Sequence, residues 1–127
     1  MQKLVIASLA GISILSLAQA ADVTSAMLKN AATSTDSVLS FGLGSEGQRY
    51  SPLAQVNTKT VAKLVPAWSF SFGGEKQRGQ ESQPLIYKGK MFVTASYSRI
   101  FAIDLKTGAK LWKYEHRLPE GIMPCCD

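Results

Sequence analysis

Ala102-Ile103-Asp104-Leu105-Lys106-Thr107-Gly108-Ala109-Lys110-Leu111-Trp112 is the stretch from which the architecture of this chain is read. The Asp104 carboxylate can accept hydrogen bonds from backbone two residues on, and Gly108 can take a positive φ. Trp112 then projects from the strand that follows as a large flat plate. These residues predict a tight hairpin, and an ordinary hairpin with a buried tryptophan is the plainest form of it.

The residues on either side extend the hairpin into a sheet. Pro84-Leu85-Ile86-Tyr87 reads as a strand that turns through Lys88-Gly89-Lys90 into Met91-Phe92-Val93-Thr94-Ala95. A third strand, Ile100 to Ile103, leads through the Asp104–Gly108 turn into a fourth, Ala109 to Glu115. Four short antiparallel strands in meander order make one blade-like sheet. Upstream, Trp68, Phe70 and Phe72 alternate with Ala67, Ser69 and Ser71, which predicts a further strand with one aromatic face. Gly73 and Gly74 end it, and Glu75 to Gln80 form a polar loop. Before Pro66, Asn57 is placed to cap a short helix beginning at Thr58, with Val61 and Leu64 on one face. Phe41-Gly42-Leu43-Gly44 and Gly47 supply turn chemistry, and residues 21–40, rich in Ala, Ser and Thr, fit a short helix or an arm.

The first twenty residues have a different purpose. Met1-Gln2-Lys3 is a positive leader, Leu4 to Leu17 is an apolar run, and Ala18-Gln19-Ala20 is a small-x-small cleavage site. This is the pattern of a secretory signal peptide over residues 1–20, with the mature chain starting near Ala21. The run falls short of the roughly 20 apolar residues that a membrane span needs. Export predicts an oxidising compartment, in a bacterium the periplasm. The chain carries 14 Lys and Arg against 9 Asp and Glu, scattered from Lys29 through Lys63 and Lys88 to Arg117. Scattered charge describes a solvated surface and gives no footprint for nucleic acid, though a mildly positive surface can help dock an acidic partner.

Cys125 and Cys126 are neighbours in the chain. Adjacent α-carbons lie about 3.8 Å apart, whereas disulfides usually span roughly 4.4–6.8 Å, so a bridge between them would be strained. Two unlinked thiols, or cysteines pairing elsewhere, are equally open to the residues alone. A zinc pair or an exchange dithiol fits poorly, because those motifs separate their cysteines by two residues and His116 is the chain's one histidine.

Asp104-x-x-Thr107-Gly108-x-x-x-Trp112 resembles the tryptophan-docking repeat of quinoprotein β-propellers, in which such a Trp packs between neighbouring blades. Around it stand Arg49-Tyr50-Ser51-Pro52-Leu53, Ala67-Trp68-Ser69-Phe70, Arg78-Gly79-Gln80-Glu81-Ser82-Gln83, Thr94-Ala95-Ser96-Tyr97-Ser98-Arg99, His116-Arg117-Leu118-Pro119 and Pro124-Cys125-Cys126-Asp127. In this order, from about Phe41 to the last residue, they resemble the start of a pyrroloquinoline-quinone (PQQ)-dependent alcohol dehydrogenase of the quinoprotein ethanol dehydrogenase type. The resemblance implies an all-β, eight-bladed propeller of which residues 41–127 are the first part. A propeller repeat takes roughly 40–50 residues and closure takes at least four blades, so the propeller is incomplete in this chain, which is expected to be an N-terminal fragment.

The family's chemistry is also implied. PQQ is a planar, tricarboxylated ortho-quinone held between an indole and a vicinal disulfide ring, and Cys125 and Cys126 match the cysteines of that ring. Glu81 matches the acidic side chain that hydrogen-bonds the cofactor, whereas no motif assigns such a role to Arg78, Arg99 or Arg117, which read as surface or structural residues. Calcium or a lanthanide acts as Lewis acid, an aspartate takes the alcohol proton as hydride passes to the quinone, and the electrons leave singly to a soluble cytochrome c. The whole protein is expected to be a homodimer. Asp127 lies too early to be the base and Asp104 belongs to its turn, so no catalytic residue and no metal ligand is expected in these residues, and the chain alone is expected to be inactive. Two other readings stand beside this one. A non-enzymatic periplasmic scaffold of the same repeats would have no use for Glu81 or the cysteine pair, and a small independent module is disfavoured by open sheet edges.

Overall fold

The computed structural model describes residues 22–73 and 81–122. The leader expected at residues 1–20, Arg78, and the Cys125-Cys126-Asp127 run lie outside the described residues. Four strands form one antiparallel sheet in the order β1-β2-β3-β4: Leu85–Tyr87 (β1), Lys90–Ala95 (β2), Arg99–Asp104 (β3) and Lys110–Glu115 (β4). Period-two alternation divides their side chains between two faces. Val93, Ala95, Phe101 and Ile103 form the core on one face. On the other, Phe92, Ala102 and Trp112 lie opposite one another in register.

The hairpin turns follow from their residues. Lys88 and Gly89 both have positive φ, 48° and 69°, as a two-residue turn matched to strand twist requires. At the other hairpin, Asp104 Oδ1 accepts from the Lys106 and Thr107 backbone N–H groups at 3.1 and 2.8 Å and from the Thr107 hydroxyl at 2.8 Å. Gly108 adopts a φ of 73°. A bulge between Ala102 and Ile103 follows, where Ala102 pairs with Trp112 but Ile103 pairs with Lys110. The expected turn chemistry is therefore present in full.

Hydrogen bonds from the Thr107 hydroxyl, and then from the Thr107 backbone N–H, hold the Asp104 carboxyl below its ordinary pKa. A carboxyl whose pKa is depressed by folding contributes stability above its unfolded value and loses it as pH falls through the folded one. Replacing Thr107 by Val is therefore expected to move the Asp104 titration upward, so that the turn loosens at a higher pH. Carboxyl carbon NMR through a pH titration measures this directly, and an unmoved midpoint would assign the turn's acid sensitivity elsewhere.

Trp68, Phe70 and Phe72 share one face as expected, but residues 66–73 do not form a strand of the sheet. They have no regular secondary structure, and Trp68, Phe70 and Phe72 pack their rings against the core. Phe70 and Phe72 lie 5.6 and 5.3 Å from Phe101 between ring centroids. Side-chain alternation reports a buried face, whereas a strand also needs a neighbour for its backbone, and among the described residues this segment has none. Trp68 docks at the far end, where its Nε1–H donates to the Leu105 carbonyl at 3.0 Å and its ring covers Gly108.

The helix expected from Thr58 is reduced to a 3-10 turn at Val61–Lys63. Asn57 Oδ1 accepts from Lys59 N–H at 2.9 Å, and the Thr60 hydroxyl donates to the Gln55 carbonyl at 2.8 Å. Such local side-chain bonds compete with helix propagation, and Val61 and Leu64 remain exposed, so no buried face extends it. The arm contains a short helix, Ser25–Lys29 (α1), capped by Thr24 Oγ1 accepting from Met27 N–H at 3.2 Å. Val38 then makes an antiparallel bridge to Ile86 on the open edge of β1.

Candidate functional site

Antiparallel topology sorts the loops between two ends of the sheet. The Lys88–Gly89 turn and the Asp104–Gly108 turn lie at one end. At the other lie the segment entering β1, the Ser96–Ser98 turn between β2 and β3, and the run leaving β4 after Glu115. Glu81 opens the entering segment, and the leaving run leads toward Cys125 and Cys126. Of the three residues singled out from the sequence, Glu81 is carried to this end, and Cys125 and Cys126 lie outside the described residues. Glu81 is exposed and makes no hydrogen bond or ion pair among the described residues, which leaves its carboxylate available to an external donor.

A cleft of about 580 Å³ opens at this end, with Tyr97, Arg99, Glu115, His116, Arg117 and Ile122 in its lining. Tyr97, which lines it, belongs to the Ser96–Ser98 turn. Tyr97 and Ser98 both have positive φ, 63° and 55°, and neither is glycine. Consecutive residues held in this region persist only where their surroundings enforce the conformation. One tie comes from β4, whose exit is joined to the turn by the His116 N–H donating to the Ser98 carbonyl at 3.4 Å. Another comes from Arg99, described below.

The charges around the cleft are uneven. Glu115 is ion-paired with Lys113, and that hydrogen bond, before the charges of Lys113 and Arg99, holds its carboxyl below the ordinary range. His116 and Arg117 are exposed at the cleft, while Arg99 is buried. Guanidinium and imidazole donors thus line the cleft beside the apolar side chains of Leu118, Pro119 and Ile122, a combination that suits an anionic ligand with an apolar face. Among the described residues, no group of three or more His, Cys, Asp and Glu side chains is gathered. No helix among them is long and apolar enough to cross a membrane.

Sequence reasoning did not anticipate the burial of Arg99 or the strain at Tyr97 and Ser98. For Arg99 a signal was present, because it stands at period two with Phe101 and Ile103 and so shares their inward face. For the turn there was none, since Tyr97-Ser98 contains no residue that favours positive φ.

A four-stranded antiparallel meander carrying the Asp104 turn and a docked indole has the form of a propeller blade. Residues 39–124 match the family model described as "PQQ: Glucose/ethanol/alcohol dehydrogenase, beta-propeller domain", and the chain belongs to that family. It is 54% identical over 127 residues to the 1-butanol dehydrogenase (quinone) of Thauera butanivorans, covering 100% of this chain and 20% of that protein. It is 58% identical over 110 residues to the quinoprotein ethanol dehydrogenase of Pseudomonas aeruginosa, covering 87% of this chain and 18% of the relative. The solved quinohemoprotein alcohol dehydrogenase from Comamonas testosteroni superposes with a TM-score of 0.66 at 35% identity, over 73% of this chain and 14% of the other. The chain therefore spans about a fifth of the length of the curated relatives it matches.

Proposed function

We propose that this chain supplies one blade, and one wall of the cofactor site, of a periplasmic PQQ-dependent dehydrogenase that oxidises primary or secondary alcohols to aldehydes or ketones. The observation that carries this reading is the match of residues 39–124 to the PQQ family, on a blade whose Glu81-bearing segment and β4 exit lie at the same end. When bound, the quinone supplies the two-electron acceptor for the alcohol's hydride. The contribution of this chain is to hold the cofactor in place. Cys125 and Cys126, closed into a vicinal disulfide ring, would offer a rigid, polarizable surface with little freedom to lose on stacking. Glu81 would accept a hydrogen bond at the rim, and the cations of the cleft would favour the cofactor's carboxylates. The proton-accepting aspartate, the ligands for calcium or a lanthanide, and the surface that passes electrons to cytochrome c are assigned to parts of the protein outside this chain.

Alcohol-dependent dye reduction by the complete protein, measured with and without added PQQ in the presence of calcium or a lanthanide, tests the proposal. Turnover is expected only with the quinone, and none is expected from residues 21–127 alone. Quinone-independent turnover, or alcohol oxidation by the isolated segment, would contradict it. Glu81→Gln keeps the shape but removes the charged acceptor. It should weaken quinone binding by about tenfold, the worth of one hydrogen bond to a charged group.

A further inference from the structure

The cleft end of the sheet contains a buried cation to which no motif gives a role. Arg99, at the head of β3, is only 7% exposed. Its Nε–H donates to the Ser96 carbonyl at 2.6 Å, and its Nη1–H donates to the Phe72 carbonyl at 2.9 Å. The guanidinium carbon lies 5.9 Å from the centroid of the Phe101 ring, and Glu115 faces it across the β3–β4 register. One planar group thus joins the aromatic segment, the β2–β3 turn and the core.

Ser96 and Arg99 bracket Tyr97 and Ser98, the two non-glycine residues with positive φ. The Arg99–Ser96 bond closes that turn on the side of the core, while His116 holds it on the side of β4. Tyr97 of the turn, Arg99 itself and the β4 exit all line the cleft, so the conformation that Arg99 enforces bears on the shape of its wall. A lysine would replace it only in part, because a single ammonium keeps the charge but lacks the planar fork that reaches two carbonyls in fixed directions.

We propose that Arg99 is a positioning residue for the quinone site, locking the strained Tyr97–Ser98 turn so that the cleft wall is preformed before the cofactor binds. This role rests on the function proposed above. It is tested by titrating the complete apoprotein with PQQ, unsubstituted and as Arg99→Met, Arg99→Lys and Gly108→Ala. The last variant damages the blade at its opposite end and serves as the comparison for general destabilisation. Amide hydrogen exchange at Tyr97 and Ser98 is followed in each protein without quinone. Arg99→Met is expected to weaken quinone affinity by at least about tenfold, with Arg99→Lys weakened to a lesser degree and Gly108→Ala within about twofold of the unsubstituted protein. Exchange at the two amides should rise in both Arg99 variants and not in Gly108→Ala. Should Arg99→Met fail to fold, Arg99→Lys decides the matter on the same readouts. Quinone affinity unchanged in the Arg99 variants, or weakened equally by Gly108→Ala, would remove the role of Arg99 and leave the proposed function standing. Absence of quinone binding by the unsubstituted protein would overturn both.

Discussion

Replacing Phe101 by Ala should destabilise the protein by about 3–5 kcal/mol, the range for removing a large aromatic side chain from a packed core. Phe101 is 4% exposed, and its ring is the shared partner of Phe70 and Phe72. It therefore joins the sheet to a segment that has no strand partner among the described residues and is held against the sheet by its side chains. Removing the ring leaves a cavity and also releases the aromatic segment, so the cost should lie toward the upper end. Phe101→Leu, which keeps most of the apolar bulk, is expected to cost appreciably less. Denaturant unfolding of the complete protein reads both values. Equal, small losses for the two variants would show that residues 66–73 are held by something other than this aromatic cluster.

Gly108→Ala is expected to cost about 2–5 kcal/mol, the sum of two separable terms. At a φ of 73° any L side chain is strained, by roughly 1–2 kcal/mol. A Cβ at this position would also lie 2.7 Å from Trp68 Cδ2, closer than such atoms approach. The indole cannot move aside without breaking its bond to the Leu105 carbonyl, which adds an overpacking cost of about 1–3 kcal/mol. A double-mutant cycle separates the terms. With Trp68 already changed to Ala, Gly108→Ala should retain only the backbone cost. Full additivity of the two substitutions would place the strain entirely in the turn and deny that Trp68 is wedged against it.

These expectations show how differently the parts of the molecule are written in the sequence. Strands β1 to β4 were legible to within a residue or so at each end, because alternation and the turn residues Gly89, Asp104 and Gly108 agree with one another. Residues 66–73 were legible as a buried aromatic face but not as a packing element lying on the sheet, since alternation carries no information about a backbone partner. The Asn57 cap was legible, yet its side chain serves a local turn, and helix propagation would have needed an apolar face that Val61 and Leu64 do not bury. Trp112 was expected to pack against a neighbouring blade. Among the described residues it lies 6.0 Å from Phe92 between ring centroids and is 45% exposed, while Trp68 is the indole docked on the turn. In the candidate site, Glu81 and the cysteine pair were recognised through resemblance. The clasp by Arg99 depends on contacts between residues 27 apart and on a turn conformation that its residue types do not favour. Neither is visible from spacing alone.

The quinone affinity of the complete apoprotein, compared with that of its Cys125→Ala variant, bears on the whole reading at once. If this end of the blade forms a wall of the cofactor site, the unsubstituted protein should bind PQQ saturably. The variant, deprived of the rigid sulfur ring, should bind it at least about tenfold more weakly. Equal affinity in the two proteins would contradict the assignment of this blade end to the cofactor.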